Sequence, residues 1–325
     1  MSTTTRAPAS DAPPRGRPRI DSGWLRRNGV YVALALLVLV NVAITPNFVS
    51  ATNLRLQLVQ VSPVLIVALG MAMVIGTRGI DLSVGAVMAL AAALIPLYIG
   101  YGTLPAILVA CTAGLVTGAL GGTVIARVGI QPIVATLAIM VAGRGVANLL
   151  GGEIKSIRDP GIIALGRGSV LGVPYVVLCA AVVALAVLLV MRRTTTGRQL
   201  VAIGGNIRAA ALAGIPVARV LTTVYIMAGV LAAFAGVLVA ARSQASDPTR
   251  LGLLVELYAI TAVVVGGTPL SGGQVRVLGT IAGALLMQLV TSTLIAQNAA
   301  DAVAQIVQAV IVVVAVYVQI GRRRR

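Results

Sequence analysis

Long uncharged apolar runs limit the possible folds of this sequence more than any other feature. Residues 173–191 and 302–320, for example, approach the roughly 20 residues with which a helix crosses a bilayer. Because the bilayer interior offers no water to unpaired backbone groups, such runs must be helical. Hydrophobic residues make up 58% of the chain and charged residues only 10%, which excludes an ordinary soluble domain. The sequence therefore predicts an all-α polytopic membrane protein.

The apolar runs predict about ten transmembrane helices within one domain, residues 28–321. Ser62-Pro63 interrupts the second run, and Glu256 places a charge in the eighth. Residues 79–87 resemble residues 267–275, which indicates a weak parallel repeat. The predicted spans are residues 30–44, 56–76, 82–99, 103–126, 133–150, 173–191, 217–241, 253–265, 277–296 and 302–320.

Both ends of the chain are basic. Residues 1–27 are rich in proline, serine, threonine and arginine, which predicts a disordered tail, and residues 322–325 form a short basic end. The first apolar run follows two arginines, as in a signal peptide. Asn41-Val42-Ala43 makes a poor cleavage site, however, so a retained first helix is favoured.

The basic residues are distributed unevenly between the two sides of the predicted helices. Of the 25 lysines and arginines, 18 fall on the side of the N-terminus, six on the opposite side and one within a span. Positive charge is retained in the cytoplasm. We therefore predict a multi-pass protein of the plasma membrane, with both termini and the basic loop 192–216 in the cytoplasm.

The net charge of +17 does not indicate nucleic-acid binding in this chain. The basic residues flank apolar runs, and no aromatic residues are interleaved with the arginines to stack on bases. Histidine is absent, and so are the GxxxxGK[ST], HExxH, CxxC and GxSxG sequences. We expect a chain surrounded by membrane lipid, with no enzymatic activity, cofactor or metal of its own. Cys111 and Cys179 lie in apolar runs and are assigned to packing.

The loop over residues 192–216 is much longer than the roughly 4–6 residues that a turn requires. Asn206 provides a helix cap, an alanine-rich segment follows, and Gly214 provides a stop, which together predict a short helix. A short surface helix with small residues on one side fits a groove of a partner protein. An ordinary re-entry turn is the simpler alternative.

Few charged residues lie inside the predicted spans, where each costs on the order of 2.5–3.5 kcal/mol at mid-bilayer. Asp81 is explained most simply as the N-cap of a helix that begins at Leu82. Arg144 has three open alternatives: pairing with Glu256, reaching the interface or facing an aqueous cavity. Neutral polar residues suit an uncharged ligand, although hydrogen bonds between helices are the simpler explanation for each of them. They are Asn148, Gln288, Thr291, Thr293, Gln297 and Gln305.

Four stretches resemble the membrane subunits of sugar-importing ABC transporters, of the ribose/galactofuranose permease type. They are GIDLSVGAVMAL (79–90), QPIVATLAIMVAGRGVA (131–147), GRQLVAIGGNIRAAALAGI (197–215) and ELYAITAVVVGGTPLSGG (256–273). The resemblance implies a permease domain without its own ATPase site. It implies three partners: an ABC ATPase subunit, an extracytoplasmic sugar-binding protein and a second permease subunit, identical or not.

The resemblance also implies roles for particular residues. The coupling helix that inserts into the ATPase subunit would include Gly204, Asn206, Arg208, Ala209, Ala210 and Gly214. We predict that the pathway of the sugar includes Asp81, Ser83, Arg144, Asn148, Glu256 and Gln288. The chain departs from many relatives at Tyr258, where they carry aspartate, so the identity of the sugar does not transfer. The alternatives are a branched-chain amino-acid ABC permease, a gradient-driven secondary carrier and a structural membrane protein that transports nothing.

Overall fold

The computed structural model describes residues 22–320, and this part of the chain is built almost entirely from helices. The helices are α1 (Ser22–Ile44), α2 (Ala51–Gly76), α3 (Val84–Tyr98), α4 (Thr103–Thr123), α5 (Pro132–Gly151), α6 (Pro160–Arg167), α7 (Tyr175–Arg193), α8 (Thr195–Gly205), α9 (Ile207–Leu212), α10 (Val217–Ser243), α11 (Val255–Val265), α12 (Val277–Ala296) and α13 (Asp301–Ile320). A 3-10 turn, Ile99–Tyr101, extends α3, and a π-helical turn, Val124–Val128, extends α4.

Ten of these helices correspond to the ten predicted spans. Seven of the helices in the described part are long and apolar enough to cross a membrane. The eighth predicted span is wrong as a full crossing, because α11 has 11 residues and reaches only about 16 Å, half of the hydrocarbon core. At the N-terminus, α1 begins at Ser22, within the predicted tail. Residues 1–21 and the basic end 322–325 lie outside the described residues.

The predicted interruption of the second span is also wrong, because α2 continues through Pro63 without a break. Proline has no N–H, and it leaves the carbonyl four residues earlier without its helical donor. That carbonyl belongs to Val59, and the guanidinium of Arg242 donates to it at 3.4 Å. The neighbouring Ser62 hydroxyl donates to the carbonyl of Leu58 at 2.6 Å. The side chain of Arg242 therefore supplies the donor that the carbonyl of Val59 lacks, as expected inside a membrane.

Helix α10 lies at the centre of the bundle and packs against α2, α3 and α4. Tyr225, Leu238 and their alanine neighbours on α10 are fully buried there. The contact with α4 is made by backbone against backbone at glycines. A Cβ built on Gly114 would lie 2.3 Å from the carbonyl oxygen of Gly229, and one on Gly118 would lie 2.4 Å from that of Tyr225. Only glycine permits this approach.

Two helices begin inside the bundle and not at its ends. The first turns of α3 lie beside the middle of α10, where Gly236 meets the backbone of Met88. Residues 79–83, which form neither helix nor strand, lead to this point, so the predicted helix start at Leu82 is corrected to Val84. Helix α11 begins nearby, since Gly252 contacts the backbone of Gly85. Residues 248–254 form turns directly before it.

The loops gather at two ends of the bundle, in the groups that an alternating topology predicts. At one end, β1 (Lys155–Ser156) pairs antiparallel with β4 (Ala245–Ser246), and β2 (Ser169–Val170) pairs with β3 (Val173–Pro174) nearby in the chain. At the other end, the N–H of Gly273 donates to the carbonyl of Gly76 at 2.9 Å, which joins the loops after α11 and α2. Both copies of the weak repeat follow these two helices. These two pairs of loops are therefore grouped as predicted.

The loop that carries β1 is fixed to the helix bundle through Asp159. Its carboxylate caps α6 by accepting the N–H of Ile162 at 2.9 Å, and it also accepts the hydroxyl of Thr103 at 2.6 Å. These donors, the Thr103 hydroxyl first, hold the pKa of Asp159 below its usual value. The loop between α5 and α7 is thus attached to the start of α4.

Candidate functional site

The basic loop between α7 and α10 folds into two short helices, α8 and α9. Asn206 separates them and caps α9, because its side-chain oxygen accepts the N–H groups of Arg208 at 3.0 Å and Ala209 at 3.1 Å. Gly214, in the left-handed region at φ 78°, follows the end of α9. The predicted short helix is therefore present with its predicted cap and stop. Helix α8, which Thr194 caps by accepting the N–H of Gly197, was not predicted from the sequence.

Helix α9 presents a mixed apolar and basic surface. Leu212 is 92% exposed and Ile207 is 46% exposed, and Arg208 and Ala209 are exposed beside them. Ala210 faces the bundle and is buried. Ile207, Arg208 and Leu212 thus form an exposed apolar and basic surface on α9, on the side away from Ala210.

The end of α8 packs tightly onto the bundle at Gly204. A Cβ built on this residue would lie 1.8 Å from the carbonyl oxygen of Gly76 and 2.4 Å from the backbone nitrogen of Gly273. Gly76 ends α2, and Gly273 lies in the loop before α12. The neighbouring Gly205 has open space at its Cβ position. The loop between α7 and α10 is thus in direct backbone contact with two parts of the transmembrane bundle.

Four of the six predicted pathway residues gather around the first turn of α3. Asp81 is buried directly before it, and its carboxylate accepts the N–H of Ser83 at 2.9 Å and the hydroxyl of Ser83 at 2.6 Å. Asp81 therefore forms a turn that leads into the helix and is not the N-cap itself, which is Ser83.

Arg144 and Glu256 are the other two residues at this turn, and they flank Gly85. A Cβ on Gly85 would lie 2.4 Å from Glu256 Oε2 and 3.4 Å from Arg144 Nη2. Arg144 donates to the carbonyl of Leu251 at 2.8 Å, in the turns before α11. Within the described residues, Glu256 Oε2 is buried and has no hydrogen-bond partner.

The two remaining predicted residues lie elsewhere. Asn148 is exposed on α5. Gln288, on α12, belongs to a separate polar cluster, where its amide donates to the side-chain oxygens of Gln60 at 2.7 Å and Gln57 at 3.3 Å. The structure therefore does not bring the six predicted residues together in one site.

Gln288 lines a small cavity of about 160 Å³ between α2, α11, α12 and α13. A larger neighbouring cavity of about 520 Å³ shares Tyr258 and Gln308 with it and adds Thr261 and Gln305. The amide of Gln308 donates to the hydroxyl of Thr291 at 2.6 Å. Gln308 and Gln60 were not predicted as candidates. Gln308 lies three residues after Gln305, and Gln60 lies three residues after Gln57, so each pair shares a helix face.

The described residues contain no group of three or more acidic or cysteine side chains that could hold a metal ion. The chemistry of the two cavities is accordingly that of neutral amides and hydroxyls in apolar walls. Such groups hydrogen-bond an uncharged polar solute without the cost of burying a charge.

The helices, the two-helix loop and the polar cavities define a multi-pass membrane permease. Residues 53–316 match the family described as branched-chain amino acid transport system / permease component, and the chain belongs to this family. No solved structure matches the chain.

Curated relatives confirm the resemblance to sugar permeases. The chain is 39% identical over 302 residues to the galactofuranose transporter permease protein YtfT of Escherichia coli (strain K12), covering 90% of this chain and 89% of that protein. It is 36% identical to the ribose import permease protein RbsC of Bacillus subtilis (strain 168), covering 90% and 92%. It is 37% identical to the fructose import permease protein FruF of Bifidobacterium longum (strain NCC 2705), covering 71% and 67%.

Proposed function

We propose that this chain is the membrane permease subunit of an ATP-driven importer that carries a monosaccharide across the plasma membrane. The names of the relatives assign galactofuranose, ribose and fructose to proteins that align over most of this chain. Galactofuranose-like and ribose-like sugars are the first substrates to test. A second copy or a related permease completes the membrane part, and an extracytoplasmic binding protein delivers the sugar.

The exposed α9 surface, fixed to the bundle through α8, is the observation that carries this proposal. An ABC ATPase subunit covers Ile207, Arg208 and Leu212, and its ATP-driven movement reaches the bundle through Gly204. A gradient-driven carrier has no use for such a surface. The excess of lysine and arginine on this side supports a cytoplasmic location for α9 and both termini.

The polar cavities beside α11 support a neutral sugar over an amino acid. Gln288, Tyr258, Gln305 and Gln308 offer hydrogen bonds to hydroxyl groups. A zwitterion needs paired opposite charges, and Arg144 and Glu256 lie instead at the first turn of α3, around Gly85. We assign the sugar pathway to the Gln288 cluster. Asp81, Ser83, Arg144 and Glu256 belong instead to the packing where α3 and α11 begin.

The function is tested by uptake into proteoliposomes that contain this chain and its ATPase subunit. With binding protein outside and ATP inside, we expect uptake of a labelled pentose or hexose from a panel. Arg208→Glu, and a bulky residue at Gly214, should lower uptake while membrane insertion persists, because one reverses a charge on α9 and the other strains its stop at φ 78°. Uptake without ATP, driven by an ion gradient, would identify a secondary carrier instead.

The pathway assignment is tested by Gln288→Met, which keeps the side-chain length and removes the amide. We expect the sugar concentration for half-maximal uptake to rise by roughly tenfold, because one hydrogen bond to the solute is worth about 1 kcal/mol or somewhat more. Asn148→Leu is the matched control, since Asn148 is exposed on α5. Equal effects of the two changes would contradict the assignment.

A further inference from the structure

Arg78 has a left-handed backbone conformation, and its side chain donates to two backbone carbonyls of another helix. It follows α2 and lies in the left-handed region at φ 70°, a conformation that non-glycine residues adopt rarely. Its Nε donates to the carbonyl of Gly204 at 2.6 Å, and its Nη2 donates to the carbonyl of Gly205. These carbonyls end α8 and have no partner within that helix. The strained backbone thus aims one guanidinium at the end of the neighbouring helix.

The surroundings of Arg78 fix three segments to one another. Gly204 is packed against Gly76, and Gly273 donates to the carbonyl of Gly76. A Cβ on Gly272 would lie 2.4 Å from Cγ of Arg78. The end of α2, the end of α8 and the loop before α12 therefore meet at one junction, and Arg78 supplies the side chain that joins the first two.

Arg78 also stands at the start of the chain segment that enters the bundle. Residues 79–83 run from it to the first turn of α3, and Asp81 in this segment is buried. The segment therefore connects the side-chain contact of Arg78 with α8 covalently to the start of α3. The positive guanidinium also suits the negative end of the α8 dipole.

We propose that Arg78 is the positioning residue that transmits movement of the coupling helices to the transmembrane bundle. This inference rests on the proposed function, since it needs an ATPase that moves α8 and α9. The inference does not depend on which sugar is carried. Lysine replaces it poorly, because an ammonium group lacks the planar fork that reaches two carbonyls at once.

The test compares Arg78→Ala and Arg78→Lys with Arg127→Ala, an exposed arginine after α4. In proteoliposomes with the ATPase subunit and binding protein, we expect Arg78→Ala to lower the stimulation of ATP hydrolysis by sugar-loaded binding protein roughly tenfold. The ATPase should still co-purify. Arg78→Lys should give an intermediate loss, and Arg127→Ala should behave as the wild type.

A second measurement separates this inference from the proposed function. In nanodiscs containing the chain alone, Arg78→Ala should speed amide hydrogen exchange over the last turn of α8, whatever the protein transports. Unchanged exchange would overturn the inference. Stimulation of ATP hydrolysis at the wild-type level in Arg78→Ala would overturn it as well. So would a loss of bound ATPase equal to the loss of stimulation, because Arg78 would then be a docking contact.

Discussion

Replacing Gly204 by alanine is expected to lower ATP-driven uptake roughly tenfold or more, whereas the same change at Gly205 leaves uptake near the wild-type rate. The two glycines are neighbours at the end of α8, so alanine raises the helix propensity of each by a similar amount, about 0.8–1.0 kcal/mol. The two positions differ in the space available to an added Cβ atom. The added Cβ at position 204 would meet the backbone of Gly76 at 1.8 Å, and the one at position 205 meets nothing within 4 Å.

The contact at Gly204 cannot be relieved by a side-chain rotation, because the opposing atoms belong to backbone. Helix α8 must move away from Gly76 and Gly273, which separates the loop from the bundle. Uptake in proteoliposomes measures the effect, with membrane abundance and ATPase co-purification as controls for folding. Equal rates for the two variants would show that the backbone contact of α8 has no part in transport.

The largest effect on stability is expected for Gly118→Leu in the contact between α4 and α10. Gly114, Gly118 and Gly122 recur every four residues on α4, and each would place a Cβ within 2.7 Å of the backbone of α10. Overpacking of a core costs typically 1–3 kcal/mol, and we expect at least about 3 kcal/mol here because neither backbone can yield. The thermal unfolding midpoint in detergent should fall clearly.

Gly145→Leu provides the matched control for this prediction. Gly145 also lies within a membrane helix, α5, but it is exposed and has nothing within 4 Å of its Cβ position. Its unfolding midpoint should stay near that of the wild type. A similar loss in both variants would mean that a leucine in place of glycine is harmful in any of these helices, independently of the contact with α10.

The sequence predicted most of the helices because the membrane leaves few alternatives for apolar runs. It failed where a local rule was offset by a distant residue. Pro63 should break α2, but Arg242, far along the chain, supplies the missing donor. Leu82 extends an apolar run, but the helix begins only at Val84, and the N–H of Leu82 donates to the hydroxyl of Thr136 on α5 instead.

Of the candidate site, the local features could be predicted from the sequence, and the contacts between distant residues could not. Asn206 and Gly214 revealed α9 because capping is a local property. The pathway residues were predicted from residue type alone, which does not show which of them lie close together. In the structure, Gln288 and Asn148 lie apart from the residues around Gly85. Arg78 appeared in the sequence only as one more positive charge, because its partners lie more than a hundred residues away.

The helix starts inside the bundle have an electrostatic consequence. Each helix N-terminus carries the equivalent of about half an elementary charge, so α3 and α11 together with Arg144 amount to about two positive charges at one level. Asp81 and Glu256, when ionised, bring two negative charges to the same place. With both carboxylates ionised, the positive and negative charges at this depth cancel, so the region has little net attraction for ions of either sign. An amide in place of either carboxylate would leave an excess positive charge there and attract anions.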